Sequence, residues 1–236
     1  MRCRERFRLK RSQACGQDAV SVPLVRINIG CGQSPTPGWR NYDNSLSVWL
    51  AGHPWLAFVA DTLGLLGNEQ RRFISVARRA GMTWADATKR IPVGDGLAEV
   101  VYASHMIEHL DGNQVLFFLS EVHRVLAPNG VIRIALPDLR QLVHQYLAEG
   151  DADAFVARSL LTRPRLRSLG EKLRFLVVGD RHHLWMYDGA SLVGLLTSVG
   201  FRDARVLAAG ASGIASPGGL NLSERAGESV FVEACK

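Results

Sequence analysis

Val22-Pro23-Leu24-Val25-Arg26-Ile27-Asn28-Ile29-Gly30-Cys31-Gly32 is the stretch that decides the fold. Leu24, Val25, Ile27 and Ile29 suit a buried strand, and Gly30-Cys31-Gly32 ends it. Working outward, further strands are expected around Trp39–Asp43, Met82–Ala85 and Val100–Ala103. Residues 113–127 follow a helical period, with Val115, Leu116, Leu119, Val122, Val125 and Leu126 on one stripe. Pro128-Asn129-Gly130 stops that helix, and Val131–Leu136 is a strand closed by Pro137. Ser191–Val199 reads as a helix with Gly200 at its end. Ala204–Leu207 and Ser229–Glu233 read as a final antiparallel strand pair. Strand and helix alternate, so the expected class is α/β: a doubly wound, mostly parallel sheet with helices on both faces.

Two segments add helix to this frame, about residues 44–81 and 141–180. Ser45–Gly67 is markedly apolar, with Asp61 as its only formal charge. Gly52-His53-Pro54 interrupts it, so two short helices are expected and a spanning helix is not. A helix lying on a membrane surface is the disfavoured alternative. The second segment has a basic middle at Arg163, Arg165 and Arg167.

The chain has 236 residues, of which 47% are hydrophobic and 21% charged, as in an ordinary soluble globular protein. Its formal charge of +6 raises the question of an anionic partner. The charge is unevenly placed. Residues 1–11 carry Arg2, Arg4, Arg6, Arg8, Lys10 and Arg11 against Glu5, a net +5. Residues 1–20 are therefore expected to be a basic, disordered tail, and residues 21–236 the domain. The near-neutral remainder argues against a nucleic-acid partner. Cys3, Cys15, Cys31 and Cys235 show no framework spacing, so reduced thiols and a cytoplasmic location are expected.

In an open α/β sheet, ligands lie beyond the carboxyl ends of the strands. Gly30-Cys31-Gly32 lies where a nucleotide-type loop belongs, and glycine lets a ligand approach the backbone. The dinucleotide pattern wants a third glycine three residues on, where this chain has Pro35. There is no Walker lysine-and-hydroxyl pair either, so the loop suits a ligand without phosphates. Asp43 closes the second strand, where a carboxylate suits a ribose diol. Asp86 closes the third, where it could order an adenine edge or its own loop.

Ile27–Gly32, Pro37–Asp43, Trp84–Thr88 and Tyr102–Leu110 together resemble the class I S-adenosylmethionine-dependent methyltransferases, a Rossmann-like fold. The nearest branch is the methyltransferases associated with bacterial polysaccharide and sugar metabolism. Val125–Gly130 and Leu195–Phe201 are similar to later landmarks of the family. The resemblance implies that Gly30, Cys31 and Gly32 pass under the amino-acid end of the cofactor. It implies Asp43 on the ribose, Asp86 and Ala87 at adenine, and Ser104 and His105 facing the sulfonium and the acceptor. Only residues 33–38 separate the loop from the second strand, whereas a parallel crossover normally takes a dozen or more residues. The first helix must therefore be nearly absent, or the strand at Trp39 is misplaced.

His105-Met106-Ile107-Glu108-His109 matches the H-x-x-E-H pattern of inverted zinc peptidases. It lies at a strand-to-helix junction without a third ligand at a telling spacing, so no metal is expected, and His109 reads as a packed histidine. His182-His183-Leu184-Trp185-Met186-Tyr187-Asp188 is the second polar-aromatic cluster, with Trp185 and Tyr187 as candidate stacking surfaces for an acceptor. A base is needed when the acceptor is a hydroxyl, and histidine is best matched to that task near neutrality. His105 is the first candidate and His183 the second. The expected activity is O-methylation of a small hydroxylated or glycan-like acceptor. A cofactor-binding protein without turnover and a nucleic-acid methyltransferase are the alternatives. The latter is disfavoured because no Asn/Asp-Pro-Pro-Tyr/Phe motif follows the fourth strand. The sequence leaves the oligomeric state open.

Overall fold

The structure is a computed structural model that describes residues 23–162 and 182–236. The expectations for residues 1–20 and for Arg163, Arg165 and Arg167 lie outside the described residues. Seven strands form one sheet in the order β3-β2-β1-β4-β5-β7-β6. They are β1 Val25–Ile29, β2 Arg40–Asp43, β3 Thr83–Trp84, β4 Ala98–Ser104, β5 Leu126–Pro137, β6 Arg202–Leu207 and β7 Ser229–Cys235. The first five pair in parallel, and β7 pairs antiparallel with both β5 and β6. This is the Rossmann-like α/β sheet with an antiparallel C-terminal pair that the sequence predicts.

β1 and β2 are parallel neighbours with no helix between them. The short crossover works because side chains replace the missing helix. Thr36 and Asn41 clasp each other, the Thr36 amide donating to Asn41 Oδ1 at 2.7 Å and Asn41 Nδ2 donating back to the Thr36 carbonyl at 3.0 Å. Buried Asn28 on β1 donates to Thr36 Oγ1 at 3.0 Å. The loop is thus tied to both strands that it connects.

Helices α1 Leu46–Ala51, α2 Pro54–Thr62 and α3 Asn68–Arg79 follow β2. Pro54 opens α2 at its first turn, where a missing N–H costs nothing. Val48, Leu50, Ala57, Ile74 and Ala77 close a small core of their own, which includes Cys31. Helix α4, Gly112–Val125, is capped by Asp111 and Gln114 in a reciprocal box. Its buried face is Val115, Phe118, Leu119, Val122 and Val125. The stripe expected from sequence differs at two positions. Leu116 is half exposed because it sits on the flank, and Phe118 takes its place in the core. Leu126 does not end the helix; it opens β5, paired with Ala98. Helices α5 Leu139–Glu149, α6 Ala152–Ser159 and α7 Gly189–Ser198 complete the described elements.

Strand β4 shows how the sheet divides its side chains. Val101 and Ala103 join the core under α4 and α7, while Val100 and Tyr102 point to the other face. In the cluster on that face, Val100, Tyr102, Ala135 and Phe231 pack on Ile214 and Leu220 of the connection from β6 to β7. Sequence reasoning predicts helices on both faces; here an irregular connection supplies the cover. A buried ion pair holds it. Arg133 and Glu233 are cross-strand neighbours on β5 and β7, joined at 2.7 Å and almost fully buried. Arg133 also donates to the carbonyls of Ala211 and Leu222, and Glu233 accepts from Ser212 Oγ and the Gly213 amide. The connection therefore hangs on two opposite charges.

Removing one charge strands the other. Glu233→Ala should destabilise the fold by about 3–5 kcal/mol in urea unfolding, with Arg133→Met/Glu233→Leu losing less than that single variant.

Candidate active site

Parallel strands bring their carboxyl ends to one edge, and there the loops after β1, β2, β3 and β4 enclose a cavity of about 850 Å3. That is the size range of small-molecule sites. Gly30 and Gly32 lie on its wall, both with positive φ, at +66° and +50°. A Cβ on Gly30 would stand 2.7 Å from Met106 Cγ, so the two loops meet closely only because residue 30 lacks one. A Cβ on Gly32 would meet nothing within 4 Å. The Cys31 side chain turns away into the core beneath α1 and α3. Burial, then the nearby Asp43, pushes its thiol pKa up, although a backbone hydrogen bond opposes them. Cys31 offers the cavity main chain at most.

Asp43 lines the cavity and orders it. Its Oδ2 accepts from the Gly32 amide at 3.0 Å and its Oδ1 from the Ser45 amide at 2.8 Å. One carboxylate thus fixes both the glycine loop and the start of α1, with lone pairs remaining for a ligand. Asp86 and Ala87 lie on the same wall. Asp86 accepts from the Thr88 hydroxyl at 2.6 Å and pairs with Lys89 at 3.1 Å. Burial alone would raise its pKa, and the bonds from Thr88 and Lys89 bring it below the usual carboxylate range. Ser104 ends β4 with a buried hydroxyl that has no hydrogen-bond partner among the described residues, and it is not on the cavity wall.

His105 has a φ of +47°, a left-handed conformation that costs a non-glycine residue about 1–2 kcal/mol. Its amide is held by the Ala135 carbonyl at 2.8 Å. The ring meets Ser229 Oγ at 3.1 Å through Nε2 and Arg225 Nη1 at 3.5 Å through Nδ1. Glu108 Oε1 is also 3.5 Å from Nδ1, too long to satisfy the carboxylate by a hydrogen bond. His183 is buried and lines the same cavity, its Nδ1 2.9 Å from the Ser159 carbonyl. Burial is the main influence holding its pKa below the usual histidine value.

The two aromatic candidates lie elsewhere. Tyr187 is buried in the main core, where burial first and Glu108 second raise its hydroxyl pKa. Trp185 is 61% exposed, and neither residue is on the cavity wall. Residue type announced aromatic surface; packing used one ring and left the other outside. Sequence reasoning also missed Arg225, which reaches the wall and His105 from the β6–β7 connection. No spacing in the chain links those two residues. The helical segments contribute Ser45, Leu46, Phe73 and Leu160 to the wall. Among the described residues, no helix is long and apolar enough to cross a membrane.

Residues 67–134 match the family model of a methyltransferase domain. The match spans α3, β3, β4, α4 and most of β5, and it stops short of the glycine loop. The match covers 68 of the 236 residues and supports the methyltransferase reading taken up below. No curated protein sequence matches the chain. Among solved structures, it is similar to a possible histamine N-methyltransferase from Thermotoga maritima, at 13% identity and a TM-score of 0.49, covering 92% of this chain and 84% of that one. An S-adenosylmethionine-dependent methyltransferase from Mesorhizobium loti is similar at 14% identity and a TM-score of 0.47, covering 91% of each chain. A third, from Archaeoglobus fulgidus, is similar at 16% identity and a TM-score of 0.46, covering 91% of this chain and 86% of that one. At these scores the likeness carries nothing about acceptor or site.

The two glycines separate backbone strain from crowding. Gly32→Ala should cost about 1–2 kcal/mol, from its left-handed conformation alone. Gly30→Ala should cost more, and Met106→Ala in that background should recover the excess while leaving Gly32→Ala unimproved. Denaturant unfolding of the four variants measures both effects.

Proposed function

We propose that this chain holds S-adenosylmethionine over the glycine loop and methylates an oxygen of a small hydroxylated or glycan-like acceptor. The observation that supports the reading most is the convergence of Gly30, Gly32, Asp43, Asp86 and His105 on one cavity wall. The residues present suit the cofactor. Gly30 and Gly32 keep the loop free of side chains, so an amino-acid end can lie against backbone. Asp43 has acceptor capacity for a ribose diol, and Asp86 with Ala87 offers an edge and a flat floor for adenine. The cofactor when bound supplies a methyl group made electrophilic by a sulfonium sulfur.

The chain's own work is then positioning and proton handling. Holding donor and acceptor in line supplies much of the acceleration in such a displacement. His105 is fixed by its strained backbone and its contacts to Ser229 and Arg225. In this reading His105 accepts the hydroxyl proton, with His183 as the second candidate. The cavity lining includes Leu46 and Phe73 from the first helical segment and Leu160 from the second. It combines apolar surface with Gln114 and Arg225, as a sugar-like ring with hydroxyls requires. The branch linked to bacterial polysaccharide and sugar metabolism is the corresponding family setting.

Calorimetry with S-adenosylmethionine tests the cofactor site. Wild type should bind, and Asp43→Ala should bind about 10- to 100-fold more weakly, as the loss of charged hydrogen bonds predicts. No binding by wild type would overturn the reading. Release of S-adenosylhomocysteine with glycans and hydroxylated small molecules, but not with amines, is the expected acceptor result. His105→Ala should lower that rate about 100-fold or more while cofactor affinity is kept.

A further inference from the structure

The same cavity contains a cluster of which the methyl-transfer reading uses only His183, as its second candidate base. Glu108 is 1% exposed, and neither of its carboxylate oxygens has a hydrogen-bond partner. Its main chain is held instead: the amides of Leu184 and Trp185 donate to the Glu108 carbonyl at 2.7 and 3.2 Å. Those two bonds bring the segment after His182 against the turn after β4. A buried carboxyl group without a hydrogen bond is costly, and the nearest base, His105 Nδ1, stands 3.5 Å away.

Two imidazoles stand beside it. One ligand atom each from Glu108, His109 and His183 lies within 4.8 Å of the other two. The His109 and His183 rings have centroids 5.1 Å apart and planes inclined at 62°. His109 Nδ1 is 3.0 Å from the His182 carbonyl, and His183 Nδ1 is 2.9 Å from the Ser159 carbonyl. A carbonyl only accepts, so both Nδ1 atoms carry the proton. The Nε2 lone pair is then what each ring has to offer. Rings oriented in this way by backbone carbonyls are the usual outer support of metal-bound histidine.

We propose that Glu108, His109 and His183 form a binding site for one divalent transition-metal ion in the wall of the cavity. Two neutral imidazoles and one carboxylate suit zinc, manganese, iron(II) or cobalt(II) better than the all-oxygen ions magnesium and calcium. Bonds of about 2.0–2.2 Å require the three donors to draw together by roughly 1 Å, within the reach of side-chain rotation. All three residues line the cavity that holds Gly30 and Asp43, so the open coordination positions face the acceptor. Resting on the methyl-transfer reading, the site deepens it. The ion takes an oxygen of the acceptor, a hydroxyl or one member of a vicinal diol, and makes that hydroxyl more acidic by Lewis-acid polarisation. The released proton passes to His105, the base of that reading, on the same cavity wall. Substrate class follows from the donor set: hydroxylated acceptors that can bind a metal through oxygen.

The sequence contained the first two ligands in His105-Met106-Ile107-Glu108-His109, but paired the wrong ones. His105 is committed to Ser229 and Arg225. The third ligand comes from His183, which the fold delivers from a distant segment.

Cobalt(II) is the probe, because it reports its coordination by visible absorption. Metal-stripped full-length chain should take up one equivalent of cobalt, with ligand-field bands of a site containing nitrogen and oxygen donors. Glu108→Gln, which keeps the side-chain shape, and His109→Ala and His183→Ala should each weaken uptake by about tenfold or more. His144→Ala, on exposed α5 surface, should leave it unchanged. No uptake by wild type, or uptake unaltered in Glu108→Gln and His109→Ala, would overturn the site whatever His183→Ala does to folding. S-adenosylhomocysteine calorimetry on the same samples separates the two readings. Normal binding with no cobalt uptake would sink the metal site alone. Cobalt uptake without S-adenosylhomocysteine binding would leave the metal site standing and sink the methyl-transfer reading.

Discussion

Parallel pairing is the constraint on which the rest depends. Ile29 pairs with both Tyr42 and Ala103, and Ser104 pairs with Ala135. Strands that run the same way in this register exhaust their ladders at one level. At the next level stand Gly30, Asp43 and Ser104, and His105 follows one residue on. Each ladder bond used inside the sheet leaves the first loop residues to find partners of their own. They find each other: Gly30 and Cys31 donate to the Tyr42 carbonyl, Gly32 donates to Asp43, and His105 donates to Ala135. The cavity wall is thus what the parallel sheet does at its edge.

The other face of the sheet is held by a different device, and it bears on the same site. Arg133 and Glu233 sit in the middle of β5 and β7, where water cannot solvate them. Both Arg133 Nη atoms and both Glu233 oxygens also bond main-chain or hydroxyl groups of the 208–228 connection, while Arg133 Nε has no partner among the described residues. An irregular segment can cover a sheet only if its polar backbone groups find partners, and here two charges supply them. Farther along, Glu224 accepts from the Tyr102 hydroxyl at 2.9 Å, and Arg225 reaches the His105 ring. A buried ion pair on one face therefore positions a cation at the active edge.

Much of this was legible in the chain, and the reason is local. A strand followed by Gly30-Cys31-Gly32 and acids closing two further strands announce their place at the sheet edge, because parallel strands end together. The near-absent first helix was legible too, since residues 33–38 leave no room for one. The helix stripe failed at Leu116 and Phe118 because periodicity names a face only to within about one residue. The aromatic cluster misled at Tyr187 and Trp185, since residue type does not say which ring a core will take. Cys31 is similar: its position in the loop was correct, and its side chain went to a neighbouring core.

By itself, then, the sequence determined the α/β class, the antiparallel final strand pair, the glycine loop and the acids at its edge. Those features depend on spacing within one or two elements. Tertiary structure alone decided which side chains share the cavity: Arg225 beside His105, and His183 beside Glu108 and His109. These residues are far apart in the chain and meet through backbone bonds, from Leu184 and Trp185 to Glu108, that no periodicity encodes. A pattern such as H-x-x-E-H names residues able to bind a ligand. Only the folded chain completes the set, because burial removes water and leaves each donor with the partners that packing has placed beside it.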